Sequence, residues 1–147
     1  WYFGMKPHIG VDSRNGLVHS AVVTAANVHD KHPIPQLLHG AEQRVYGDSA
    51  YVSQKALIET KALCAKDFTN QRSRKGGHID EAVRAKNRTK SQVRARVEHV
   101  FGVGKRLWGF NKVRYRDLAK NATRSFVALA LANIFLARRT LHGQVRP

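Results

Sequence analysis

Cysteine, acidic residues and long apolar runs are all scarce in this sequence. Its single cysteine, Cys64, has no partner within the chain, so no disulfide framework exists. A reducing, cytoplasmic setting is the expectation, with the thiol reading as a small core residue. No signal peptide is recognisable, and no run of about 18 apolar residues offers a bilayer span. Asp and Glu number 10 against 26 Lys and Arg, a formal net charge of +16 over 147 residues. A compact domain so charged repels itself, and a polyanion is its natural complement, nucleic acid first and an acidic membrane surface second. Apolar residues, at 42%, suffice for one ordinary domain with a core, which excludes a disordered basic tail.

The chain opens WYFGMKPHIGVD, with no initiator Met and apolar residues already in alternation, and so reads as starting inside a folded domain. Residues Tyr2 to Val11 form a candidate strand, with Pro7 better suited to an edge or a bulge because it lacks a backbone donor. Asn15-Gly16 is a strong hairpin signal, and Leu17 to Ala25 reads as the returning strand. A short helix begun at a proline over His32 to Leu38, a brief strand from Arg44 to Asp48 and a helix capped by Ser53 follow. Gly76-Gly77 marks a loop. From Asp80 the pattern turns helical, with Val93, Val97, Val100, Gly104 and Leu107 drawing one apolar stripe. Gly109 interrupts it, and Ala122 to Ala137 is apolar nearly all round, which predicts a buried helix against the sheet. Strands first and helices last predict a mixed α/β domain without internal repeats.

Between Arg84 and Arg116 there are eleven Lys or Arg and one acid, Glu98. On a helix Arg94, Glu98 and Lys105 project from roughly the same face. One reading is a surface ion pair of Glu98 with Arg94, contributing a few tenths of a kcal/mol, roughly, at most. The other is a metal-binding carboxylate among phosphate-holding cations. A hard cation needs a second acid, and Asp48, ending a short apolar strand, is the best candidate, with capping of the next turn as its alternative role. Trp108 and Phe110 are candidates for stacking on a base or for the core. His29, Asp30 and His32 have metal-like spacing but read as a strand-end turn.

The spacing Arg94, three residues, Glu98, six residues, Lys105 resembles the tyrosine-arginine-glutamate-lysine signature of DDE transposases from bacterial insertion sequences, with Ser91 standing where that signature has tyrosine. The segments WYFGMKPHIGVD, GLVHSAVVTAANVHD, LLHGAEQRVYGDSAY, RARVEHVFGVGKR and FNKVRYRDLAKN are similar, in order, to the C-terminal two thirds of such an enzyme. The resemblance implies an RNase H-like fold, here incomplete over 1–147 with the first strand or strands upstream of Trp1, and a mixed sheet flanked by helices, the long one carrying Glu98. It implies two Mg²⁺ ions, with Mn²⁺ as a possible replacement, held by three acids, of which Asp48 matches the second aspartate and Glu98 the glutamate. The first aspartate falls upstream of Trp1, and Asp12 matches a turn residue rather than a ligand. Convergence of Asp48 and Glu98 to metal-bridging distance is therefore expected.

The same resemblance implies DNA as partner, both transposon ends and target, with Arg94 and Lys105 on phosphates near the cut. The basic residues around them extend that track, Arg96, Arg106, Arg114 and Arg116 with Arg84, Lys86, Arg88, Lys90 and Lys112. A homo-oligomeric active complex, a nucleoid-associated location and no membrane partner follow from the same likeness. The implied activity is phosphodiester cleavage and strand transfer, absent from these residues alone if one acid is missing. A basic DNA-binding remnant and an RNase H-like nuclease are the alternatives.

Overall fold

The computed structural model describes residues 4–75 and 78–145. Two compact units divide the chain, one made of residues up to Val28 with those from Arg96 onward, the other of His29–Ala95.

The first unit begins with a hairpin, β1 (Met5–Val11) antiparallel to β2 (Val18–Ala25). Ile9 and Val11 alternate onto the core face of β1, and the register shift at Gly10/Val11 brings their partners Ala21 and Val18 onto the same face. Pro7 sits opposite Val23 in this two-stranded ladder, where its missing donor is tolerated at an outer edge. The Asn15-Gly16 signal marks the turn, but not as a two-residue one. Asp12 N–H donates to the Leu17 carbonyl and Gly16 N–H to the Asp12 carbonyl, both at 2.9 Å, enclosing a longer loop. Only Gly16 has a positive φ, +75°, whereas the shortest turn type needs one at Asn15 as well. The expected strand start at Tyr2 lies outside the described residues.

The second unit holds α1 (Ile34–Leu37), entered through buried Pro33, and β3 (Arg44–Val45). A 3₁₀ turn over Ser49–Gln54 leads into α2 (Lys55–Lys61), whose Ile58 is buried. Then come β4 (Lys66–Asp67), parallel to β3, and the small hairpin of β5 (Arg74–Lys75) and β6 (His78–Ile79). The side chain of Ser53, expected to cap α2, and the loop glycines Gly76 and Gly77 lie outside the described residues. Cys64 is exposed, contrary to the expected core position, because it falls in the turn between α2 and β4, where side chains face water.

Asp80 begins α3 (Glu81–Trp108) by accepting from Val83 N–H at 3.0 Å. Gly109, at φ +59°, ends it. Val100, Val103 and Gly104 are its buried residues, while Leu107 at the end of the expected stripe is exposed. The last helix, α4 (Leu118–Val145), supplies Leu129 and Ala132 to the core shared with Val100 and Val103. It packs on β1 and β2, as the sequence predicts, but is not buried all round. Phe126, Val127, Leu131 and Ile134 are exposed, because the two-stranded hairpin covers only one face of a helix this long.

The α/β class and the long helix carrying Glu98 are thus present, and strand pairing among the described residues takes the form of three two-stranded ladders, one parallel and two antiparallel. No helix among them is long and apolar enough to cross a membrane.

Candidate functional site

In the 29–95 unit the backbone pairing that starts at β3 runs on past it. Lys66 N–H donates to Gln43, Phe68 N–H to Val45 and Asn70 N–H to Gly47, at 2.8–2.9 Å, so Asp48 stands at the carboxyl end of a parallel pair. Such strand ends are where open α/β sheets build sites, because the chain leaves the ladder there and its side chains are freed. Gly47 just before it lets Thr69 and Tyr51 pack close to the backbone. A Cβ there would lie 3.0 Å from both Thr69 Cγ2 and Tyr51 Cδ2, a tight approach that both side chains would have to yield to.

The two oxygens of Asp48 are used differently. Oδ1 accepts from Ser49 N–H and caps the 3₁₀ turn, so the capping role read from sequence is real. Oδ2 faces Arg94 Nη2 at 3.7 Å, with the carboxylate 54% and the guanidinium 29% exposed. Arg94 therefore pairs with Asp48 rather than with its helix neighbour. Among the described residues Glu98 makes no ion pair or hydrogen bond and is exposed, so the surface-pair reading of Glu98 with Arg94 fails. Packing beside this pair pushes the Tyr51 hydroxyl above its ordinary value, by burial first and then by the charges of Asp30 and Asp48, with Arg94 opposing.

The amino half of α3 is tied to the 69–71 segment by polar side chains that sequence reading did not single out. Asn87 holds Gln71 through both its amide groups, Asn70 Nδ2 donates to Ser91 Oγ at 3.0 Å, and Lys90 Nζ donates to the Thr69 carbonyl at 2.9 Å. Ser91, in the place of the signature tyrosine, serves here as a partner for a buried amide. Lys90 thus holds a carbonyl, and exposed Arg84 pairs with Glu81 at 3.2 Å. The only available signals for these roles were amide residues at helical spacing facing a polar loop.

Glu98, Lys105, Arg106 and Arg96 belong to the other unit and are exposed on α3. Arg114 and Arg116 are exposed in the segment between α3 and α4. Trp108 takes the core alternative, packing edge-on to Phe135 with ring centres 6.4 Å apart. Phe110 lies under the Arg124 guanidinium at 5.6 Å instead of standing free to stack. Asp12 is a turn residue as expected, its Oδ1 accepting from Arg14 N–H at 2.7 Å. His29 and His32 meet edge to face within a turn. No group of three or more His, Cys, Asp or Glu able to hold a metal occurs among the described residues.

That donor set is not a closed cage. Asp48 nonetheless fits a hard divalent cation. It is an exposed carboxylate with one oxygen free of backbone hydrogen bonds, and Mg²⁺ commonly shares one or two carboxylates with substrate phosphates and water.

No solved structure matches the chain. A sequence model of the family described as Transposase DDE domain matches residues 1–134, nearly the whole length, and such membership implies an RNase H-like fold and DNA as substrate. The chain belongs to the DDE-domain transposases.

Proposed function

We propose that this chain takes part in metal-dependent cleavage and transfer of DNA strands, with Asp48 and Glu98 as two of the carboxylates that hold Mg²⁺. The observation that carries the reading is Asp48 itself, an exposed acid at the carboxyl end of a parallel strand pair, in a chain matched by the transposase family over residues 1–134. Bound there, the metal would stabilise the attacking and leaving oxygens of an in-line phosphodiester exchange, first with water and then with a 3′ hydroxyl as nucleophile. The chain's own cations do the holding. Lys105, Arg106 and Arg96 on α3, with Arg114 and Arg116 beyond it, bind backbone phosphates, and Arg94 joins them when it leaves Asp48. Asp48 contributes a fixed oxygen, because its capping bond to Ser49 already orients the carboxylate. The active complex is a homo-oligomer on DNA near the nucleoid, and membrane has no part in it.

Asp48→Asn and Glu98→Gln test the ligand assignment by Mn²⁺ binding, followed by electron paramagnetic resonance with duplex DNA present. Asparagine still caps the 3₁₀ turn, so the fold survives the change. Each substitution is expected to weaken Mn²⁺ binding by at least about tenfold, since even supporting residues around a metal cost that much when removed. Wild-type affinity in either variant would remove that residue from the site.

A further inference from the structure

The segment from Gly109 to Asp117 has no regular structure, yet it carries Lys112, Arg114 and Arg116 in alternation with Val113 and Tyr115, all exposed. A free loop of this length would sample many conformations, and ordering it on a ligand costs the backbone entropy of each residue fixed. This one is held already. Asn121, buried to 5% exposure on the first turn of α4, accepts from Arg114 N–H and Tyr115 N–H at 3.3 Å. Its Nδ2 donates to the Tyr115 and Asp117 carbonyls at 2.5 and 2.7 Å. One turn further on, Arg124 Nη1 donates to the Lys112 carbonyl at 2.7 Å and Nη2 to the Gly109 carbonyl at 3.0 Å, while its plane covers Phe110.

The bonds go to backbone, so the basic side chains of the segment remain available. Arg124, by contrast, turns its own fork onto two carbonyls and a ring. The one acid at the end of the segment, Asp117, accepts from Ala119 N–H at 2.8 Å at the start of α4. We infer that Asn121 and Arg124 are positioning residues that hold the 112–116 segment ready as a phosphate-binding strip, acting through its backbone rather than on DNA. This rests on the reading of Arg114 and Arg116 as DNA contacts.

A double-mutant cycle separates this role from general support of the fold. Binding of duplex DNA is measured by fluorescence anisotropy at fixed salt for wild type, Arg124→Lys, the strip variant Lys112→Ala/Arg114→Ala/Arg116→Ala, and their combination, with circular dichroism melts confirming that each is folded. Lysine keeps the charge but lacks the planar, rigid fork that spans the two carbonyls and covers the ring. Arg124→Lys is expected to weaken binding about tenfold in the wild-type background, the equivalent of ordering about one residue, and to change nothing in the strip variant. Asn121→Ser, run through the same cycle, keeps the test open should the lysine variant melt early. An equal loss in both backgrounds, or no loss in either, overturns the positioning role. Wild-type affinity in the strip variant overturns the DNA reading of Arg114 and Arg116 instead.

Discussion

Asp48 and Glu42 show how a carboxylate's partners decide what it can do. Asp48 spends one oxygen on Ser49 N–H and meets a cation with the other at 3.7 Å, long enough for that partner to be exchanged. Glu42 spends both on the backbone, Oε1 accepting from His39 N–H at 2.7 Å and Oε2 from Gly40 N–H at 2.8 Å, with its side chain only 10% exposed. It is a structural staple for the turn at Gly40, where φ is +93°. Burial pushes the Glu42 carboxyl up, but the hydrogen bonds from His39, its own amide and Gly40, helped by the charge of His39, outweigh burial and leave it below its ordinary value of 4.5. A carboxylate lowered in the folded state stabilises the fold above its unfolded value and loses that contribution as pH falls through the folded one. Glu42→Gln should therefore lower the melting temperature at neutral pH, and the gap to wild type should close in acid. Melts recorded across the acidic range check this, and a gap independent of pH would assign the loss to packing alone.

Among the elements, the hairpin and α4 are joined by a contact that hydropathy does not reveal. Asn133, the one polar residue in the run Phe126–Ala137, accepts from Val18 N–H and donates to the Val18 carbonyl, both at 2.8 Å. It extends the ladder where β2 begins, next to the register shift between Gly10 and Val11. Asn133→Ala strands two backbone groups in a half-buried place and should cost about 2–4 kcal/mol in denaturant unfolding. A loss below about 1 kcal/mol would mean that water replaces the amide. The sequence made the hairpin, α3 and the apolar face of α4 legible, because period-2 and period-3.6 patterns survive over several turns. It made Asp48 legible as a strand-end acid, and Arg94, Glu98 and Lys105 legible as a spaced set. Two-residue strands such as β4, β5 and β6 carry no period at all. The amides at Asn87, Asn121 and Asn133 were visible only as polar residues, and what each binds depends on segments 16, 6 and 115 residues away along the chain.

For the whole molecule, the formal charge of +16 overstates the cations available to a polyanion. Lys90 is bound to a carbonyl, Arg124 holds backbone, and Arg138 lies 3.8 Å over the Phe135 ring while donating to its carbonyl. The proposed contacts are Arg94, Arg96, Lys105, Arg106, Lys112, Arg114 and Arg116. Neutralising that many phosphates gives a slope of about −6 for log affinity against log salt on duplex DNA. A slope near that value, far short of what 26 basic residues would give, is expected from anisotropy titrations. On the proposed reading, any Mg²⁺-dependent nicking of DNA by this chain should be lost in Asp48→Asn and in Glu98→Gln, while DNA binding persists. Retention of binding with no nicked plasmid in either variant would fit that account. Cleavage by this chain that survives Glu98→Gln would place the catalytic acids elsewhere, and a shallow, salt-insensitive binding curve would deny it a phosphate track.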